Sequence, residues 1–201
     1  MWDILFKNMD DSKKEFILKE TLGYFLKYGV KNFTMDDIAN KLGVSKKTLY
    51  QMFCNKENLL FEVVDELWKS FLDEIHKIYQ EEGNSLLKIV KIYDCGFQTL
   101  KTIDPIFIKS LQNHQKNVME KFQTYRSYFL DEIIKKLLLE AKNLNQIDSE
   151  INIDLFIRVN FENLDIQIWY DEVIREYSQD EILKYLVMHR LQGIATQKDL
   201  F

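Results

Sequence analysis

A single proline, Pro105, and six glycines are all that interrupt 201 residues. Those two residue types are the ones a helix interior tolerates least, so a chain this poor in them is pushed toward long helices with few breaks. Apolar residues recur at three- and four-residue steps almost throughout. Ile166-Gln167-Ile168 alternates like a strand, but it is short and flanked by helical pattern. The expected fold class is all-α, with about nine helices. At 46% hydrophobic and 13% aromatic, the composition supplies a packed core and argues against disorder. No apolar run approaches the roughly 20 residues that cross a bilayer, and Met1-Trp2-Asp3-Ile4-Leu5-Phe6-Lys7 has the wrong charge order for a secretory signal. A cytoplasmic protein without a membrane partner is expected. In that compartment the isolated Cys54 and Cys95 are not expected to pair.

Start and stop residues divide the chain. Residues 12–28 place Phe16, Leu18, Leu22, Phe25 and Leu26 on one broad face, closed by Gly29. Thr34 and Asp37 match a capping box, with Asp in place of the usual Glu, and open a helix through Ile38, Ala39 and Leu42 that stops at Gly43. Ser45 caps a third short helix with Leu49 and Phe53 facing inward. Asn55 caps a long fourth one striped by Leu59, Leu60, Val63, Leu67, Phe71, Ile75 and Ile78. Further helices are expected over 85–102, from Asp104-Pro105 to Asn113, and over 116–142, 152–175 and 179–192. The net charge is −5, yet residues 1–60 sum to +2 and the remainder to −7. A mildly basic head on an acidic body presents its head to a polyanion.

The head holds the most specific pattern. Between Thr34 and Phe53 two short helices meet at a turn containing Gly43, Ala39 lets them approach closely, and Val44, Leu49 and Phe53 fill the seam. Lys46, Lys47, Thr48, Tyr50 and Gln51 are left outside, the residue types that contact phosphates and base edges. This is a helix-turn-helix, whose second helix enters the major groove. Thr34, Ile38-Ala39, Gly43-Val44-Ser45, Thr48-Leu49-Tyr50, Phe53 and Lys56-Glu57 sit at the spacing of the tetracycline-repressor (TetR) family of bacterial regulators, which this stretch resembles.

The resemblance implies an N-terminal three-helix DNA-binding domain over 1–55 and a larger helical effector-binding and dimerisation domain over 56–201. It implies that Thr34, Tyr50 and Lys56 hold phosphates while Ser45, Lys46, Lys47, Thr48 and Gln51 lie at the groove. The family often has Gly where Lys47 stands, so this position adds charge beside the DNA. Residues 1–60 contain no Arg, which leaves Lys to read guanine and Gln51 to read adenine, with phosphates and DNA shape supplying the rest.

Residues 151–175 are apolar on more than one helix face. Such a helix is buried on both sides, either in the centre of a monomeric bundle or between the core and a second copy. The resemblance favours a homodimer, and the candidate pairing residues are Phe156, Val159, Asn163, Trp169, Leu183, Val187 and Leu191. A pocket for a small, largely apolar effector is expected among Phe97, Leu100, Phe107, His114, Tyr125, Tyr128, Phe129 and Phe161. The function implied is that of a repressor of operator DNA released by this ligand, which tilts the fourth helix. An adaptor whose head binds protein is the alternative. No hydrolase, nucleotide-binding or zinc-protease word is present, and three His are few for a metal site, so neither catalysis, nor a cofactor, nor a metal is expected.

Overall fold

The computed structural model describes residues 2–101, 103, 107, 116–162, 176–197 and 200, with side chains throughout except at 2–10, 116, 117 and 119. Its regular elements are helices. The one extended pairing among the described residues is an isolated antiparallel bridge between Ile147 and Ala195. No described helix is long and apolar enough to cross a membrane.

Two compact units divide the chain, Met1–Ser70 with Ile103–Phe122, and Phe71–Thr102 with Gln123–Phe201. The division between the units falls within the fourth helix, whereas the boundary expected from the sequence lies after residue 55. The first unit keeps that helix's N-terminal half because Leu59, Leu60, Val63 and Val64, all buried, complete its core.

In the first unit, α1 (Trp2–Tyr28) begins ten residues before the expected start. Ile17, Thr21 and Phe25, at four-residue steps, are buried with Leu18. Phe16, expected on this face, is 51% exposed. It lies about 100° around the helix from Ile17 and so off the buried line. Gly29 ends α1 at φ 75°, donating its N–H to Phe25 O at 2.9 Å. After a 3₁₀ turn (Val30–Asn32), Phe33 inserts among the rings of Tyr24, Phe25 and Tyr28. Then follow α2 (Met35–Leu42), α3 (Lys46–Phe53) and α4 (Lys56–Gln80). The returning segment buries Phe107, Val118 and Phe122; Trp68 meets Phe122 edge-on at 5.2 Å, and Lys121 pairs with Asp65.

The second unit comprises α5 (Ser85–Lys101), the continuation of α6 (Lys116–Tyr128) through a π-helical stretch (Phe129–Ile134) into α7 (Lys135–Asn143), α8 (Ile153–Asn160), and α9 (Gln179–Leu183), which widens to a second π-helical stretch (Lys184–Met188) before α10 (His189–Gln192). Both wide stretches sit where buried residues repeat at four-residue steps: Leu130, Ile134 and Leu138 in one, Leu183, Val187 and Leu191 in the other. In an α-helix each such step overshoots a full turn by about 40°. A wider i→i+5 turn keeps the row on one face. The helix expected over 152–175 stops at Asn160, where the N–H groups of Phe161 and Glu162 both turn back to Ile157 O. The start expected at Asp104-Pro105 and the stretch 163–175 lie outside the described residues.

Candidate nucleic-acid interface

Two caps and a left-handed glycine build the head. Thr34 Oγ1 accepts from Asp37 N at 3.1 Å, and Asp37 Oδ2 accepts from Thr34 N at 2.8 Å and from Thr34 Oγ1 at 2.6 Å. These bonds hold the Asp37 carboxyl below its ordinary value. The hydroxyl proton of Thr34 makes the third of these bonds, which lies outside the reciprocal pair that defines the box, so the hydroxyl could give it to a phosphate with the box intact. Gly43, at φ 65° and ψ 26°, takes the conformation a side chain resists and turns the chain sharply. Ser45 then caps α3 by accepting from Thr48 N at 3.0 Å, and its Oγ lies 2.7 Å from Thr48 Oγ1. Of these two hydroxyl protons one is shared between the pair and one remains to donate outward.

α2 packs on α3, with Ile38, Ala39, Leu49 and Phe53 all buried to 1% or less. Val44 is half-buried and donates its N–H to Ala39 O. Lys46, Lys47, Tyr50 and Gln51 are exposed, with Thr48 half-buried beside them. Lys46 is engaged by Asp36 of α2, which raises its pKa. Spacing hides that partner, because the two residues stand ten apart and belong to different helices. Asn55 caps α4 by accepting from Asn58 N at 2.8 Å. Lys56 is half-buried, its pKa lowered by desolvation against the opposing pull of Asp37.

Residues 17–63, from the buried line of α1 to the first turns of α4, match the model of the bacterial regulatory proteins of the tetR family. Over 192 residues, 91% of this chain and 96% of the relative, the sequence is 28% identical to the uncharacterized HTH-type transcriptional regulator YvaF of Bacillus subtilis (strain 168). The chain is thus similar in its head to the tetR-family regulators and over its length to an HTH-type transcriptional regulator. Its relatives are regulators rather than enzymes. The TetR-family fold extends beyond the head. The fatty acid degradation regulator FadR of Bacillus halodurans matches with a TM-score of 0.72 at 22% identity, covering 90% of this chain and 95% of that one. SmeT, in complex with triclosan, matches with a TM-score of 0.73 at 16% identity, covering 94% of each chain. A TetR/AcrR-family regulator of Thermobifida fusca matches at 0.67 and 19% identity, covering 90% and 98%.

In the body, Phe97, Phe129 and Phe161 are brought together around Tyr93. Its ring lies 6.1, 5.8 and 5.2 Å from theirs, stacked on Phe161. Tyr93 was not among the expected residues, although Ile89, Ile92, Tyr93 and Phe97 mark one helical face. Leu100 packs on the same core, and Tyr125 is half-buried. Two expected members lie apart from this group: Tyr128 is 41% exposed, and Phe107 is buried in the first unit. His114 lies outside the described residues. Among the candidate pairing residues, Leu183, Val187 and Leu191 are buried in this chain's own core. Phe156 is half-buried against Phe161, while Val159 is 72% exposed. Asn163 and Trp169 lie outside the described residues. The apolar residues left outside on the same segments are Leu155 and Tyr185.

Proposed function

We propose that this regulator is a homodimeric repressor that reads operator DNA with α3 and leaves it when a small, largely apolar ligand enters the body. The observation that carries the reading is the partition of α3: Leu49 and Phe53 are wholly inside while Lys46, Lys47, Tyr50 and Gln51 stand outside. A helix so divided can enter a major groove without disturbing its own core. Lys47 and Gln51 reach base edges; Ser45, Thr48, Tyr50 and Lys56 hold phosphates. A phosphate near half-buried Lys56 would supply the counter-charge that its burial calls for. Pairing through the exposed apolar side chains Leu155, Val159 and Tyr185 would set two heads about 34 Å apart.

The aromatic group around Tyr93 favours an apolar ligand, in keeping with the triclosan held by SmeT and the fatty acid role in the name of FadR. The test is selection of binding sites from random duplex DNA, followed by titration of the enriched site. A two-fold symmetric site is expected, with affinity falling steeply as salt is raised. Lys47→Ala and Tyr50→Ala should each weaken binding by about tenfold. Enrichment of no sequence would overturn the reading.

A further inference from the structure

Two adjacent carboxylates in the first turn of α2 have different work. Asp37 is closed within the capping box by the N–H and the hydroxyl of Thr34. Asp36 reaches across to α3 and takes the ammonium of Lys46, the first residue of that helix. Both partners are substantially exposed, at 58% and 46% of their side-chain surface. As a brace between α2 and α3 such a pair is worth little, and the buried seam already joins the helices.

Its position matters more. A recognition helix contacts bases with its N-terminal residues, and α3 carries only two cations, Lys46 and Lys47. With Asp36 on Lys46, the end of α3 that meets DNA presents one net positive charge where the sequence alone suggests two. Binding to arbitrary DNA is almost wholly charge attraction to phosphates. Operator binding adds base contacts that can draw Lys46 out of the pair toward a guanine edge. Cancelling a charge at this place therefore weakens attachment to any duplex, and an operator that draws Lys46 to a base edge must break the pair as well.

We propose that Asp36 tempers the DNA affinity of the reading head: by holding Lys46 it withholds one positive charge from the end of α3. The inference rests on α3 being the DNA-reading helix. The test measures the full-length protein against the duplex enriched by selection and against a shuffled duplex of the same composition, each over a range of salt. Asp36→Asn should raise affinity for the shuffled duplex about tenfold and steepen its salt dependence by about one unit. Operator affinity should rise at least as much, and the melting temperature should stay unchanged. Lys46→Met should lower affinity for the shuffled duplex, and the double variant should restore the wild-type value, because the net charge at that point is then restored. An unchanged or lowered affinity for either duplex in Asp36→Asn would overturn the role of Asp36 while leaving the regulator reading in place. Failure of the unmodified protein to enrich any site would remove both.

Discussion

Two capping boxes of nearly identical geometry open helices with different fates. In the head, Thr34 and Asp37 exchange bonds of 2.6 to 3.1 Å; in the body, Ser178 and Glu181 do so at 2.6 to 3.3 Å. The first box starts eight regular residues that end at a left-handed glycine. The second starts five, after which the helix widens into a π-helical stretch. A cap fixes where a helix begins. Its continuation is decided by what it packs against, and in the body that is the four-residue row of Leu183, Val187 and Leu191 on the core.

The comparison breaks most visibly at that row. Leu191→Ala should cost about 2–5 kcal/mol in urea unfolding, since the side chain is wholly buried in its own chain. An unchanged unfolding midpoint with loss of the dimer would return Leu191 to an intersubunit role. The boxes come next: Thr34→Ala and Ser178→Ala should each cost about 1 kcal/mol, with DNA affinity impaired only in the former, as anisotropy titration would register. Cys54 joins α3 to α4 at φ 55° and ψ −48°, a strained conformation for a residue with a side chain. Cys54→Gly should therefore gain about 1 kcal/mol in the same unfolding assay.

The smallest effect concerns acidity. Asp37 and Glu181 both titrate below their ordinary values of 3.8 and 4.5, chiefly through the hydroxyls of Thr34 and Ser178. Each binds its proton less readily folded than unfolded, so its contribution is complete above the ordinary value and is lost as pH falls through the folded one. Thermal midpoints should be insensitive to these groups near neutrality and fall on acidification, and Asp37→Asn should flatten part of that acid limb.

The head was legible because its instructions are local. Thr34 lies three residues from Asp37, Gly43 directly follows the last helical residue, and Leu49 and Phe53 stand one helical turn apart. What escaped notice depended on distance along the chain. The pair formed by Asp36 and Lys46 spans two helices. The gathering of Phe97, Phe129 and Phe161 around Tyr93 joins three segments. Leu183, Val187 and Leu191 form the same apolar stripe whether they face their own core or a second copy, and periodicity cannot say which. The widened turns escaped for a related reason: a four-residue repeat reads as an ordinary helix until its neighbours show that every member is buried.

Only Cys54 and Asn55 separate α3 from α4. Asn55 donates its N–H back to Phe53 O and its side chain caps the first turn of α4, while Leu59 and Leu60 anchor that turn inside. The joint has no slack, much as a key is cut from one piece with its shank. A turn of the first residues of α4 would carry with it the helix proposed to enter the lock.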